Sequence, residues 1–282
     1  MLERRVFTAH DGIDLVADVG GPEDAPAVVL MHGGGQTRHS WSGAMQNLLA
    51  AGYRVINLDL RGHGESGWAP SGRYPLLDRA RDVETVLQAG SDRCALVGAS
   101  LGGMTAGTAI GTYGLKVDAL VFVDVVPYPE RAGIQRILEF MNAHPDGFAD
   151  LDEAADAVAS YNPGRKRPSD PAGLRKNLRE WPDGRLRWHW DPGILSMDHD
   201  EDHELFAESV RRIGKMDKPD VLLVRGMESD IVSDQGVELL RGMVPRAEVF
   251  DVAQAGHMVA GDRNDRFNEG VVQFLHRVLP VG

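Results

Sequence analysis

At 282 residues, with 43% hydrophobic and 26% charged residues, the chain has the size and composition of a globular protein that buries a sizeable core. Its formal net charge of -12 at pH 7 argues against a nucleic-acid partner, which would require a basic face. The sequence shows neither a signal-peptide pattern near its start nor an apolar run long enough to span a bilayer, so a cytoplasmic protein with no membrane partner is expected.

Strand patterns alternate with helical patterns over the first 127 residues. Two short runs between residues 6 and 19 flank Asp11-Gly12, a dipeptide typical of hairpin turns. Continuous apolar runs predict buried strands, and the segments between them have helical periodicity. The predicted strands are 27–31, 53–58, 94–97 and 119–125, and the predicted helices are 41–51, 76–89 and 104–110. This alternation predicts an α/β fold with a mostly parallel, twisted sheet flanked by helices.

The run 94–97, which contains the single cysteine as a small buried residue, leads into a Gly-x-Ser-x-Gly motif centred on Ser100. A strand, a tight turn and a helix in this order hold the serine in a strained conformation at the top of a sheet. Gly98 and Gly102 lack a Cβ, so neighbouring backbone can pass close to the turn. Because one such motif occurs readily by chance, its context must decide whether Ser100 is a nucleophile.

The alternation stops after residue 127. Between residues 128 and 216 we predict no buried strand and four helical segments, at 134–142, 151–161, 174–180 and 202–213. The alternation of strands and helices then resumes, with strands at 221–224 and 247–252 and helices at 234–243 and 264–278. The sequence therefore predicts a core domain of residues 1–127 and 217–282, with an all-helical domain of residues 128–216 inserted between two sheet strands.

Four segments, in this order, resemble the α/β-hydrolase superfamily. They are His32-Gly33-Gly34-Gly35, the loop 59–66, the Ser100 motif and Ala255-Gly256-His257. The resemblance covers the predicted core domain and implies an α/β-hydrolase fold. It also implies that the insertion is a helical cap, or lid, over the active site.

A serine hydroxyl needs a base, and the base needs an acid that sets its tautomer. The resemblance implies that His257 is the base and that the acid lies between Ser100 and His257 in the sequence. Asp230, after the strand 221–224, is the predicted acid. Asp124, near the end of the strand 119–125, is the alternative, and two further candidates are Glu228 and Asp234.

The oxyanion of an ester-cleavage intermediate needs N–H donors. The motif supplies the N–H of Leu101, the residue after the nucleophile. The resemblance implies Gly34 as the second donor, with Gly33 or Gly35 as the alternatives if the turn is offset. We expect structural roles for the two histidines near this turn, His32 and His63.

These residues predict a serine hydrolase that cleaves a small-molecule carboxylic ester or lactone through an acyl-enzyme, with no cofactor and no metal. Serine at position 100 argues against epoxide hydrolases and haloalkane dehalogenases, which resemble parts of the chain but use an aspartate nucleophile. Perhydrolase and carbon–carbon bond hydrolase activities remain alternatives, as does a small-molecule receptor that retains the fold. The oligomeric state stays open, and a homo-oligomer is one option.

The insertion combines tryptophans with basic residues. Residues 161–190 contain three tryptophans, and eight Lys or Arg against three Asp or Glu. One hypothesis is that Trp188 or Trp190 lines the pocket and that Arg187 or Arg185 attracts a carboxylate-bearing ester; the alternative is a solvated surface with tryptophans packed inside the cap. Two other patterns in the insertion predict no ligand site: Arg165-Lys166-Arg167 is expected to be a surface turn, and the order of residues 199–203 differs from the zinc motif His-Glu-x-x-His.

Overall fold

The computed structural model describes residues 2–161, 167, 169–196, 199–257 and 264–282, apart from the side chains of residues 199 and 264. This part of the chain contains an eight-stranded sheet. Its strands are β1 (Glu3–Thr8), β2 (Asp14–Gly20), β3 (Ala27–Met31), β4 (Arg54–Leu58), β5 (Cys94–Ala99), β6 (Ala119–Val123), β9 (Asp220–Gly226) and β10 (Glu248–Val252). Their order in the sheet is β1-β2-β4-β3-β5-β6-β9-β10. All neighbours from β4 to β10 are parallel, and β1 and β2 form the predicted hairpin. The predicted mostly parallel sheet is confirmed.

Helices cover both faces of the sheet, as predicted. The helices are α1 (Ser42–Ala50), α2 (Leu76–Leu87), α3 (Leu101–Tyr113), α4 (Arg131–Asn142), α5 (Leu151–Tyr161), α6 (His199–Gly214), α7 (Asp234–Met243) and α8 (Asn264–Val278). In one hydrophobic cluster, α1 and α8 pack against alternate strand residues such as Val28 and Leu30. In a second hydrophobic cluster, α2, α3, α6 and α7 pack against the intervening strand residues, such as Val29 and Met31. The central strands are buried on both faces, which explains their continuous apolar sequences. No helix in the described part of the chain combines the length and apolarity needed to cross a membrane.

The insertion between β6 and β9 is not all-helical, which corrects the prediction. Strands β7 (Leu178–Glu180) and β8 (Leu186–Trp188) form a separate antiparallel pair. Of the helix predicted over 174–180, residues 174–177 belong to the 3-10 helix Pro171–Asn177, whereas residues 178–180 form β7. Pro182-Asp183-Gly184 between them is a strong turn signal, and Gly184 has φ +78°. For residues 178–180, the turn residues that follow were therefore a better guide to the structure than the helical spacing of the seven-residue segment.

The last helix of the insertion packs on the core. A Cβ on Gly111 of α3 would lie 2.2 Å from the backbone oxygen of Ser209 in α6, so the two helices are in backbone contact. The hydroxyl oxygens of Thr112 and Ser209 are also 2.9 Å apart. Helix α6 lies within the predicted inserted domain, residues 128–216, yet it contacts a helix of the core domain. The boundary predicted between the two domains at residue 217 therefore stays a prediction.

The turn between β5 and α3 is as tight as the motif predicted. Ser100 has φ 47° and ψ -115°, a strained conformation for a residue with a side chain. A Cβ on Gly98 would lie 2.4 Å from the Gly102 carbonyl, and one on Gly102 would lie 2.3 Å from the Met31 carbonyl oxygen. Both positions therefore require glycine, and this close packing holds Ser100 next to the end of β3.

Candidate active site

A cavity of about 310 Å³ lies at the carboxyl ends of the central strands. Ser100, at the end of β5, lines it together with His257. Four other positions of the predicted site, Gly34, Leu101, Trp188 and Trp190, also line it, as do the alternative donors Gly33 and Gly35. Residues that lie far apart in the sequence thus meet at one edge of the sheet, where parallel strands place their ligand sites.

His257 is paired with Asp124. Its Nδ1 lies 2.7 Å from Oδ2 of Asp124, whose side chain is fully buried. Since a carboxylate only accepts hydrogen bonds, Nδ1 carries the proton and Nε2 is the ring nitrogen available to act as a base. The carboxylate also accepts hydrogen bonds from the Gly226 N–H, at 3.1 Å, and from the Ser229 hydroxyl, at 2.6 Å.

The prediction that Asp230 is the partner of His257 is wrong. The Asp230 carboxylate instead forms an ion pair with Arg136 at 2.7 Å, and its side chain is 32% exposed. After β9 the chain turns so that the side chain of Ser229, rather than that of Asp230, faces Asp124. Asp124 was the alternative considered from the sequence. Of the two further candidates, Glu228 is exposed and Asp234 pairs with Arg225 at 2.6 Å.

The glycine turn after β3 leaves one amide for a ligand. The Gly33 N–H donates to Gln36 Oε1 at 3.2 Å, and the Gly35 N–H donates to His63 Nε2 at 3.1 Å. Gly34 lies between them, beside Leu101: a Cβ on Gly34 would be 3.9 Å from Leu101 Cδ2. Leu101 begins α3, so its own N–H has no acceptor within the helix. This arrangement favours Gly34 over its two neighbours as the second oxyanion donor.

Comparisons with known proteins identify the family of the chain. Residues 26–263 match the family model of the alpha/beta hydrolase fold. The chain belongs to this family. An esterase of Mycobacterium tuberculosis is 30% identical over 85% of this chain and 79% of its own length. An sn-1-specific diacylglycerol lipase of Mus musculus is 28% identical over 90% and 82% of the two chains. The crystal structure of an E-2-(acetamidomethylene)succinate hydrolase superposes with a TM-score of 0.84 at 23% identity, covering 98% of this chain and 99% of that one.

Two buried histidines brace the glycine turn of this hydrolase. His32 donates its Nδ1–H to the Gly33 carbonyl at 2.8 Å and accepts the Leu60 N–H on Nε2 at 3.0 Å. His63 accepts the Gly35 N–H on Nε2 and donates Nδ1–H to a backbone carbonyl at 3.2 Å. Each ring must be neutral to accept at one nitrogen. Burial lowers the pKa of His32 and lowers the pKa of His63 well below its usual value.

These two histidines predict a loss of stability in mild acid. In the unfolded chain both imidazoles bind protons as the pH falls through about 6.5, while the folded chain resists protonation because their pKa values are lowered. Their contribution is therefore complete above pH 6.5 and is lost below it, by up to about 1.4 kcal/mol per pH unit for each group. Chemical denaturation between pH 7.5 and 5 measures this slope, to which the lowered pKa values of His39 and His189 add with the same sign.

The matched control is His63→Gln, since a glutamine oxygen can accept the Gly35 N–H without titrating. We expect the pH slope of its unfolding free energy to fall by about one proton relative to the wild type. An unchanged slope would show that His63 does not carry this pH dependence.

The described walls of the cavity are largely aromatic and aliphatic. Trp188 and Trp190 stack with ring centroids 5.2 Å apart, and Phe140 and Phe148 pack against Trp188. The strand-like segment that carries Trp190 is tied to the core: the Gly64 N–H donates to the His189 carbonyl, and the Asp191 N–H donates to the Gly62 carbonyl. The two tryptophans thus lie where one sequence hypothesis placed them.

The two arginines of that hypothesis lie elsewhere. Arg187 forms a two-pronged ion pair with Asp183, at 3.0 and 2.7 Å, and lies over the Trp181 ring. Arg185 donates to the backbone carbonyls of residues 146 and 147. Among the described residues that line the cavity, Asp202 carries the one carboxyl group, and there is no Lys or Arg. The hypothesis that Arg187 or Arg185 attracts a carboxylate-bearing ester is therefore not supported by the described residues, which place both arginines away from the cavity.

Two other features of the insertion fall partly outside the described residues. Arg165 and Lys166 lie outside them, while Arg167 forms ion pairs with Asp152 and Asp156 at 2.7 and 2.6 Å. The side chain of His199 also lies outside. Within the described ranges, no group of three or more His, Cys, Asp and Glu residues is arranged to hold a metal ion.

Proposed function

We propose that this hydrolase cleaves neutral carboxylic esters through an acyl-enzyme on Ser100, with His257 as the general base and Asp124 as its acid partner. The observation that carries the proposal is the 2.7 Å contact between His257 Nδ1 and the buried Asp124 carboxylate, in the same cavity as the strained serine. Nucleophile, base and orienting carboxylate are the three groups that acyl transfer requires.

The reaction begins when Ser100 Oγ attacks the ester carbonyl carbon and His257 Nε2 takes the hydroxyl proton. The resulting oxyanion accepts hydrogen bonds from the N–H groups of Leu101 and Gly34, which also lie near the positive end of α3. When the tetrahedral intermediate collapses, His257 gives the proton to the leaving alcohol. Water then attacks the acyl-enzyme, with His257 again as base, and releases the carboxylic acid and free Ser100.

Asp124 supports both steps by its charge and position. Its carboxylate holds the imidazole in the tautomer that presents Nε2 to the serine, and it stabilises the imidazolium that forms when the proton is taken. Because the side chain is fully buried, water does not screen this interaction.

The cavity supports a neutral, apolar substrate. Its described wall consists largely of aliphatic and aromatic side chains, including Ile134, Leu138 and the stacked tryptophans. A carboxylate on the substrate would lose its hydration there without gaining a Lys or Arg partner in the described wall, which is costly. The volume of about 310 Å³ lies at the lower end of typical ligand pockets, which favours small esters and lactones.

Covalent labelling tests the serine mechanism. A fluorophosphonate is expected to modify the folded protein once, at Ser100, with loss of ester hydrolysis in proportion to labelling. The Ser100→Ala variant and the unfolded wild type serve as controls and should remain unlabelled. Labelling at another serine, or hydrolysis that survives complete labelling of Ser100, would contradict the proposal.

A matched pair of substrates tests the neutral pocket. We expect kcat/KM for p-nitrophenyl butyrate to exceed that for p-nitrophenyl hemisuccinate by about 10-fold or more, because the second ester carries a carboxylate where the first has a methyl group. Arg187→Gln, which removes a charge outside the cavity, should leave both rates unchanged. A preference for the hemisuccinate that disappears in Arg187→Gln would contradict this assignment.

A further inference from the structure

The residue that sequence reasoning missed at this site is Ser229, in the loop after β9. Its hydroxyl lies 2.6 Å from Oδ2 of Asp124, the same oxygen that contacts His257. The Ser229 oxygen also accepts the N–H groups of Ile231 and Val232, at 3.1 and 3.3 Å. With its lone pairs engaged by two amides, the hydroxyl proton is left to point at the carboxylate.

We propose that Ser229 is a positioning residue that holds the Asp124 carboxylate against His257. This inference rests on the proposed serine mechanism. It concerns how the acid is held, which the mechanism by itself leaves open.

This role follows from how few groups hold Asp124. The residue sits just beyond β6 with φ 49°, and within the described ranges its carboxylate is hydrogen-bonded by the Gly226 N–H, the Ser229 hydroxyl and His257. Hydrogen bonds to a carboxylate are short and strong. Without the hydroxyl, Oδ2 keeps only its bond to His257 and can rotate away from it. The effect on catalysis passes through the orientation of the imidazole.

The contact between the two residues follows from the sheet. Strands β6 and β9 are parallel neighbours, with Val123 paired to Val224, so the loops that follow them emerge at the same edge. Ser229 from one loop and Asp124 from the other therefore converge on one point beside His257.

The experiment compares Ser229→Ala with two controls by steady-state kinetics. We expect Ser229→Ala to lower kcat by about 10-fold while KM stays within about twofold, and Ser229→Thr, which keeps the hydroxyl, to recover most of the loss. Ser233→Ala removes a hydroxyl from the same loop, one that caps α7 by accepting the Gly236 N–H. It should lower the melting temperature but leave kcat unchanged. Wild-type kcat in Ser229→Ala, or an equal loss in Ser233→Ala, would overturn the positioning role.

Circular dichroism and denaturation of each variant restrict the comparison to folded protein.

These outcomes are separable from failure of the proposed function. If Ser100→Ala retained wild-type hydrolysis, the serine mechanism itself would be wrong. If Ser100→Ala is inactive while Ser229→Ala equals the wild type, the mechanism stands and only the role of Ser229 is lost.

Discussion

Ser100→Ala is expected to abolish ester hydrolysis, lowering kcat by on the order of 10⁶-fold, the loss typical when a triad serine is removed. Alanine offers no atom that can form the acyl-enzyme, so the remaining rate comes from binding and the oxyanion donors alone. The measurement is steady-state hydrolysis of a neutral p-nitrophenyl ester by purified protein. Turnover near that of the wild type in Ser100→Ala would contradict the serine mechanism.

Ser100→Gly is the matched control, because it removes the same hydroxyl and also relieves the backbone. At φ 47°, glycine carries no steric penalty, whereas serine and alanine do. We therefore expect both variants to be inactive and Ser100→Gly to be more stable than Ser100→Ala by about 1 kcal/mol in chemical denaturation. Equal stabilities would argue against strain at this turn.

Asp124→Asn is expected to lower kcat by about 10⁴-fold, as the corresponding change does in the serine-protease triad. The amide keeps the shape of the side chain, but it removes the charge that stabilises the imidazolium and can present an N–H to His257, which favours the wrong tautomer. Asparagine also tolerates the positive φ of this position. The protein should therefore fold, and circular dichroism checks this.

Asp230→Asn is the matched control in the neighbouring loop. It removes the ion pair with Arg136, in which both side chains are partly exposed, and such pairs contribute little. We expect kcat within about threefold of the wild type, since the Asp230 carboxylate does not contact His257. A reversal, with Asp230→Asn severely impaired and Asp124→Asn active, would return the acid to the position first predicted from the sequence.

The sheet was predictable because its physics is local. Strands buried on both faces must be apolar throughout, so β3, β5 and β6 are visible as apolar runs, and helices of matching length fill the intervals between them. The turn at Ser100 was predictable for a related reason. Two glycines spaced around a serine, after an apolar run and among alternating strands and helices, meet the steric requirement of this turn.

The hairpin in the insertion shows where the helix predicted over 174–180 failed. Residues 174–177 are helical, within the 3-10 helix Pro171–Asn177, but Leu178–Glu180 is a strand, because Pro182-Asp183-Gly184 turns the chain back to Leu186–Trp188. Pairing across that turn, with Leu178 and Leu186 buried beside Phe148, outweighs the propensity of a short segment. The same turn directs Arg187 to Asp183, away from the cavity.

By itself the sequence determined the class of fold, the strained serine and the glycine turn, because each depends on residues close together in the chain. Only the tertiary structure decided which carboxylate meets His257. Asp124 and Asp230 both follow buried strands, and the choice between them depends on how two adjacent loops turn at the sheet edge, since a single residue of offset replaces Asp230 by Ser229 beside Asp124. The tertiary structure also decided that no Lys or Arg lines the described part of the cavity. Basic residues of the insertion such as Arg187 pair with neighbours in the chain, and the cavity walls are formed by side chains from distant segments.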